Sequence, residues 1–173
     1  RIILDGRELE IQSPQQALDV GIAYMTEDRR TLGLSMPMSI TTNITLPTLS
    51  KYLNSWGLVK RKEEYKTAEQ FRESLSIRTP SIQTPVDDLS GGNQQKVMLS
   101  KWLNAEPKLL ILDEPTRGVD VGAKADVHRL VDELAALGID KPVLPGVMPI
   151  TNKAQVKKMA DMSGAALPAW LAD

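Results

Sequence analysis

The chain has 173 residues, 42% of them hydrophobic, with 21 basic against 22 acidic side chains and a formal net charge of −1. That length and apolar content suit a globular core, while so balanced a charge offers no global field to draw nucleic acid or an anionic membrane, and no nucleic acid is expected among its partners. No cysteine is present, which excludes disulfides, thiolate catalysis and cysteine-ligated zinc.

From the N-terminus, "IILDGRELEI" (Ile2 to Ile11) sets apolar runs on either side of Asp5-Gly6, the dipeptide that best tolerates the positive φ angles of a tight hairpin turn. Ser13-Pro14 reads as a cap and first-turn proline, and Gly21 as a stop, so a short helix is expected over Pro14 to Val20. "GIAYM", Gly21 to Met25, reads as a buried strand that runs into the polar loop "TEDRRTLGL". Residues Ser35 to Trp56 mix Pro, Thr, Asn and isolated apolar residues and suggest short helical turns and loops. Lys60 to Ser76 places Tyr65, Ala68, Phe71 and Leu75 at helical spacing among charges, the mark of an amphipathic helix.

After a proline-bearing loop comes "LSGGNQQK", Leu89 to Lys96, with Ser90 placed to cap a helix bearing Val97, Met98, Leu99, Trp102 and Leu103. "KLLILDEP" reads as a parallel strand covered on both faces and ending in two acids. Its apolar run is far shorter than the roughly 20 residues that span a bilayer. Asp120 is expected to cap a further amphipathic helix that carries His128 on its solvent side and stops at Gly138. From Ile139 the texture changes to "DKPVLPGVMPITN", then a short helix over Lys153 to Ser163. The alternation of strand and helix points to an α/β sheet. The opening at Arg1-Ile2, without Met and without a signal pattern, reads as a chain cut from something longer.

Two stretches carry chemistry. The amides of Ser90, Gly91 and Gly92 fall at the first turn of a helix, where unpaired N–H groups and the helix dipole favour an anion, and glycine lets a phosphate approach the main chain without a Cβ in the way. The plainer reading is a glycine-rich turn that only caps a helix. Asp113 and Glu114 end an apolar strand, where ligands gather in open α/β sheets. An aspartate there can hold Mg2+ and a neighbouring glutamate can orient a water; by themselves, two acids are equally a turn signal. They lie 23 and 24 residues after Ser90.

Together, "LSGGNQQKV" and "LLILDEPTRGVDVGAK" resemble the signature loop, Walker B strand and D-loop of an ABC-transporter ATPase, in particular the second ATPase half of bacterial carbohydrate importers of the ribose, galactose and xylose type. "LDGRELEIQSPQQALDVGIAYMTEDRRTLGL" and "NITLP" are similar to the same half, and the resemblance covers about residues 1–138. It implies an α/β, P-loop NTPase-like domain with a helical subdomain over about 35–104, here truncated and lacking the Walker A segment. It further implies that Ser90, Gly91, Gly92 and Asn93 touch the γ-phosphate of ATP with Gln94 beside them, and that Asp113 is the Mg2+-associated acid. Glu114 becomes the catalytic carboxylate and Gly118 to Asp120 the D-loop. Glu27 takes the place of the Q-loop glutamine in the coupling region that faces the membrane subunit. The implied partners are a complementary ATPase half with its own phosphate loop, membrane permease subunits and, indirectly, a periplasmic sugar-binding protein, at the cytoplasmic face of the inner membrane. The nucleotide is sandwiched head to tail in such ATPases, so Leu89 to Lys96 would close over a nucleotide held on the other half.

The phosphate loop would precede Arg1, and the strand that ends in a switch histidine, expected after Gly138, is missing; His128 does not replace it. Instead "KPVLPGVMPITNKAQVKKMADMSGAALPAWLAD", Lys141 to Asp173, resembles the late-barrel segment of methylenetetrahydrofolate reductase, with Lys153 where that family commonly has an aromatic residue. Residues 139–173 are therefore expected to be a foreign strand-helix tail joined between Gly138 and Lys141. Three readings follow: an incomplete half of a sugar importer's energy subunit, inactive alone; a non-catalytic fused remnant; and a fragment of a flavin-dependent folate reductase.

Overall fold

The computed structural model describes residues 2–4, 6–113, 132 and 134. The chain divides into two compact units, residues 1–140 and 141–173; all the described residues belong to the first.

The hairpin forms as the sequence dictates. Strands β1 (Ile2–Leu4) and β2 (Arg7–Leu9) pair antiparallel with Leu4 opposite Arg7, and Gly6 takes φ 75° in the two-residue turn, a conformation that costs a glycine little. Helix α1 (Pro14–Asp19) starts on Ser13, whose hydroxyl accepts from the Gln16 amide, with Pro14 in its first turn. It ends before Gly21, at φ 86°.

Strand β3 (Ile22–Met25) then pairs parallel with β4 (Leu109–Leu112), Ile22 opposite Leu109 and Met25 opposite Leu112. Their pairing brings the ends of two sequence-distant segments together, and the Asp113 amide extends the ladder by donating to the Met25 carbonyl at 2.9 Å. The expectation that β4 is covered on both faces is not met. Leu110 and Leu112 pack on the core, but Tyr24, Leu109 and Ile111 are each close to half exposed, because the described residues place no layer over that face. The period-2 alternation of a strand makes the two faces independent.

"TEDRRTLGL" is not an irregular loop. Asp28 accepts from the Thr31 amide and opens a single π-helical turn, Arg29–Gly33. From there α2 (Ile40–Thr45), a 3-10 segment (Leu46–Tyr52), α3 (Arg61–Ser74) and α4 (Gly91–Leu103) follow. Helix α2 packs against both α3 and α4. The core between them is Ile40, Ile44, Ala68, Leu75, Val86, Val97, Met98 and Leu99, joined by Met25 from the sheet. Two buried asparagines stitch it. Asn43 receives the Ser35 amide and donates to the Ser35, Met38 and Ser39 carbonyls. Asn104 receives the Tyr52 hydroxyl and donates to Ile44 O and Thr48 Oγ1.

The helix expected after Asp120 lies outside the described residues except at Asp132, which is exposed, and Leu134, which joins the core. His128, Gly138 and the short helix over Lys153 to Ser163 also lie outside them.

Candidate functional site

Helix α4 begins at Ser90, φ −61° and ψ 155°, but the serine does not cap it with its side chain. Its Oγ instead accepts from Asn93 Nδ2 at 3.0 Å, and Asn93 Oδ1 accepts from the Arg78 amide at 2.9 Å. The physical reason is competition: an asparagine three residues on offers Ser90 a donor, and the first helical amides are left open. The intrahelical ladder starts with Gln94 N donating to Ser90 O at 2.9 Å. Among the described residues, the N–H groups of Gly91, Gly92 and Asn93 have no acceptor. Ser90 itself is exposed. These three donors of the first turn of a 13-residue helix face outward as an open cup of the kind that suits an anion.

Gln94, which the sequence placed among the ligand-facing residues, faces inward. It is 5% exposed, its Nε2 donates to Val86 O and Leu89 O at 3.2 and 3.0 Å, and its Oε1 accepts from Arg29 Nε at 3.1 Å. Both of its amide protons and one lone pair of its oxygen are engaged within the protein, so it holds the turn. Lys96 likewise turns away, donating to the carbonyls of Leu75 and Ser76 at the end of α3.

A second group forms at the ends of β3 and β4. Tyr24 Oη donates to Asp113 Oδ2 at 2.7 Å. The phenol's pKa is raised above its ordinary value, first by that hydrogen bond, then by desolvation and by the charges of Asp113 and Glu27. Glu27 therefore sits in the same field as Asp113, half-buried, and accepts from Thr26 Oγ1 at 3.3 Å. Among the described residues no hydrogen bond joins Asp113 to Ser90 or Asn93. A single half-buried carboxylate fits a Mg2+ ion that takes most of its ligands from phosphates and water, and among the described residues no cluster of three or more potential ligands forms an all-protein cage. Glu114 and Asp120 lie outside the described residues.

Arg29 and Gly33 were not singled out by sequence. Arg29 reaches Gln94, the Gly33 carbonyl receives Lys101 Nζ at 2.7 Å, and Gly33 lies so close to Met98 that a Cβ there would stand 2.2 Å from the sulfur. Lys101 has its pKa lowered by burial, and its ammonium also lies 5.1 Å from the centre of the Trp102 ring. The only sequence signal for this clamp was the density of charge and glycine in "EDRRTLG".

Solved structures share the fold: a dimeric ATP-binding cassette in a post-hydrolysis state with ADP and Pi superposes with TM-score 0.58 at 20% identity, over 76% of this chain and 56% of that one. The ADP conformation of an ATP-binding cassette of an ABC transporter gives 0.56 at 21% identity, over 79% and 55%. These define an α/β domain of the P-loop NTPase class. The sequence model of the ABC transporter family matches residues 1–117, and the chain belongs to that family. It is 44% identical over 168 residues to a putative ribose/galactose/methyl galactoside import ATP-binding protein of Agrobacterium fabrum, 95% of this chain and 33% of that protein. A ribose import ATP-binding protein of Rhizobium etli is 43% identical over 91% of the chain and 32% of its own length. A xylose import ATP-binding protein of Geobacillus kaustophilus is 41% identical over 93% and 32%. The chain thus spans about a third of the length of these curated relatives. The methylenetetrahydrofolate reductase family matches residues 124–173, starting before the junction the sequence suggested, and the importer alignments also run into this tail.

Proposed function

We propose that this chain contributes the signature-loop half of a composite ATP site in the energy-coupling subunit of a sugar importer. The observation that carries the reading is the open cup of Gly91, Gly92 and Asn93 amides at the start of α4, beside an exposed Ser90. Preorganised donors of this kind stabilise charge on a transferring phosphoryl group without reorganising. In this reading the nucleotide facing the cup is held on the phosphate loop of a complementary ATPase half. Asp113 would hold Mg2+, which when bound neutralises charge on the phosphates. Glu114 is the base that polarises the attacking water, Asp120 belongs to the loop that crosses between sites, and Glu27 faces the permease at the cytoplasmic side of the membrane.

Residues 139–173 are read as a tail of a different family, with no part in this site. One late segment of a barrel supplies too few strands to enclose a flavin; flavin retained by the purified chain would favour the folate reductase reading instead.

The test titrates a labelled ATP analogue into the complementary half with and without this chain, and into the chain alone. The chain alone is expected to bind weakly, and its addition to tighten binding by the complementary half about tenfold, near 1.4 kcal/mol. Unchanged affinity on addition, or vigorous ATPase activity of the chain by itself, would falsify the composite-site reading.

A further inference from the structure

We propose that Gln94 is a positioning residue that ties the signature turn to the Glu27 segment through Arg29, so that the open amides are aimed only when that segment is seated. The inference rests on the reading of Ser90 to Asn93 as the phosphate-facing cup.

The geometry is that of a three-way bracket. The carboxamide of Gln94 holds Leu89 O, immediately before Ser90, and Val86 O in the 3-10 turn Val86–Asp88. Its oxygen accepts from Arg29 Nε, 65 residues away in sequence. A glutamine is suited to this because one planar group offers two donors and an acceptor oxygen. Burial of the Gln94 side chain makes the arrangement costly to leave half made, since the Val86 and Leu89 carbonyls would each lose a buried donor. Two further contacts bind the same segment to α4. Lys101 Nζ donates to Gly33 O at 2.7 Å, and Gly33 abuts Met98. The π-helical turn that carries Arg29 starts two residues after Glu27, so a displacement of Glu27 pulls on Arg29 and hence on the carbonyl that precedes Ser90. Gln94 touches no ligand in this scheme; it sets where the amides of Gly91 and Gly92 point.

The experiment uses the full chain with the complementary ATPase half and measures how far the chain tightens a labelled ATP analogue, together with kcat and KM for ATP, for Gln94→Met, Arg29→Met, the double variant and Arg29→Lys. Each Met variant is expected to lose most of an about tenfold tightening and to lower kcat more than it raises KM, while the double variant is no worse than the poorer single one. Arg29→Lys keeps a donor and recovers part of the effect. Gly91→Asp, which puts a carboxylate into the cup, serves as the separate check on the underlying reading. If Gly91→Asp leaves the tightening intact, the phosphate-facing assignment fails. Where Gly91→Asp abolishes it but the Met variants retain it, or their losses multiply independently, the link through Arg29 is refuted and the cup stands. Thermal melting of every variant identifies unfolding, and in a variant that does not fold Gln94→Glu, which keeps the Arg29 contact but loses both donors, replaces Gln94→Met under the same criteria.

Discussion

Gly33 and Tyr24 show how much single atoms decide. A methyl group on Gly33 would meet the fully buried Met98 sulfur at 2.2 Å and the Asp28 carbonyl at 3.3 Å. Gly33→Ala is therefore expected to destabilise by about 1–3 kcal/mol through overpacking, measured by denaturant unfolding, with Met98→Ala in the same chain recovering part of the loss. At Tyr24 the folded pKa lies above the ordinary phenol value, so the native state keeps a proton that the unfolded state releases. The corresponding stability is fully present below pH 10 and is lost as pH rises through the folded value. Following phenolate absorbance, one of the three tyrosines should ionise late, and Asp113→Asn should return it toward the ordinary range. A single tyrosine phase in both chains would contradict the Tyr24–Asp113 hydrogen bond.

At the scale of elements, the helices are held by buried amides as much as by apolar packing. Asn104, at the end of α4, bridges Tyr52, Thr48 and Ile44, which fastens the 3-10 segment to α2 and α4. Asn104→Ala is expected to cost about 1–3 kcal/mol for each buried partner it leaves unpaired, and Tyr52→Phe made in the same background should then cost less than it does alone. Calorimetric melting of the four combinations would check this; strictly additive losses would mean that Asn104 acts through something other than its hydrogen bonds. The helix starting at Gly91 was legible from sequence because Val97, Met98, Leu99 and Leu103 repeat at its period. The role of Gln94 was not, because in sequence a glutamine beside a ligand loop and one pinned under it look the same. Only the approach of Arg29 from a distant turn distinguishes them.

For the whole molecule, what matters most is that Asp113 and Glu27 stand at the ends of β4 and β3 while the open amides stand at the start of α4. The two groups lie on different elements, α4 and the ends of β3 and β4, and the composite ATP site proposed above draws on both in an assembly with a complementary half. In such an assembly Glu114→Gln is expected to leave ATP binding within about threefold and to reduce turnover by about 100-fold or more, in line with the loss of a positioned general base. Single-turnover hydrolysis beside equilibrium binding would measure both, and undiminished turnover would remove Glu114 from its proposed role.

The sequence by itself determined the hairpin, the two further strands, the helices of Lys60 to Ser76 and after Gly92, and the family, because each rests on local periodicity, turn chemistry or a contiguous motif. The tertiary structure alone decided that β3 and β4 pair, that Ser90 bonds Asn93 and leaves its helix uncapped, that Gln94 is buried under the turn, that Tyr24, Leu109 and Ile111 stay about half exposed on one sheet face, and that "EDRRTLG" is clamped to α4. Each of these depends on which distant group supplies a donor, an acceptor or a covering surface, and a linear pattern carries no record of that.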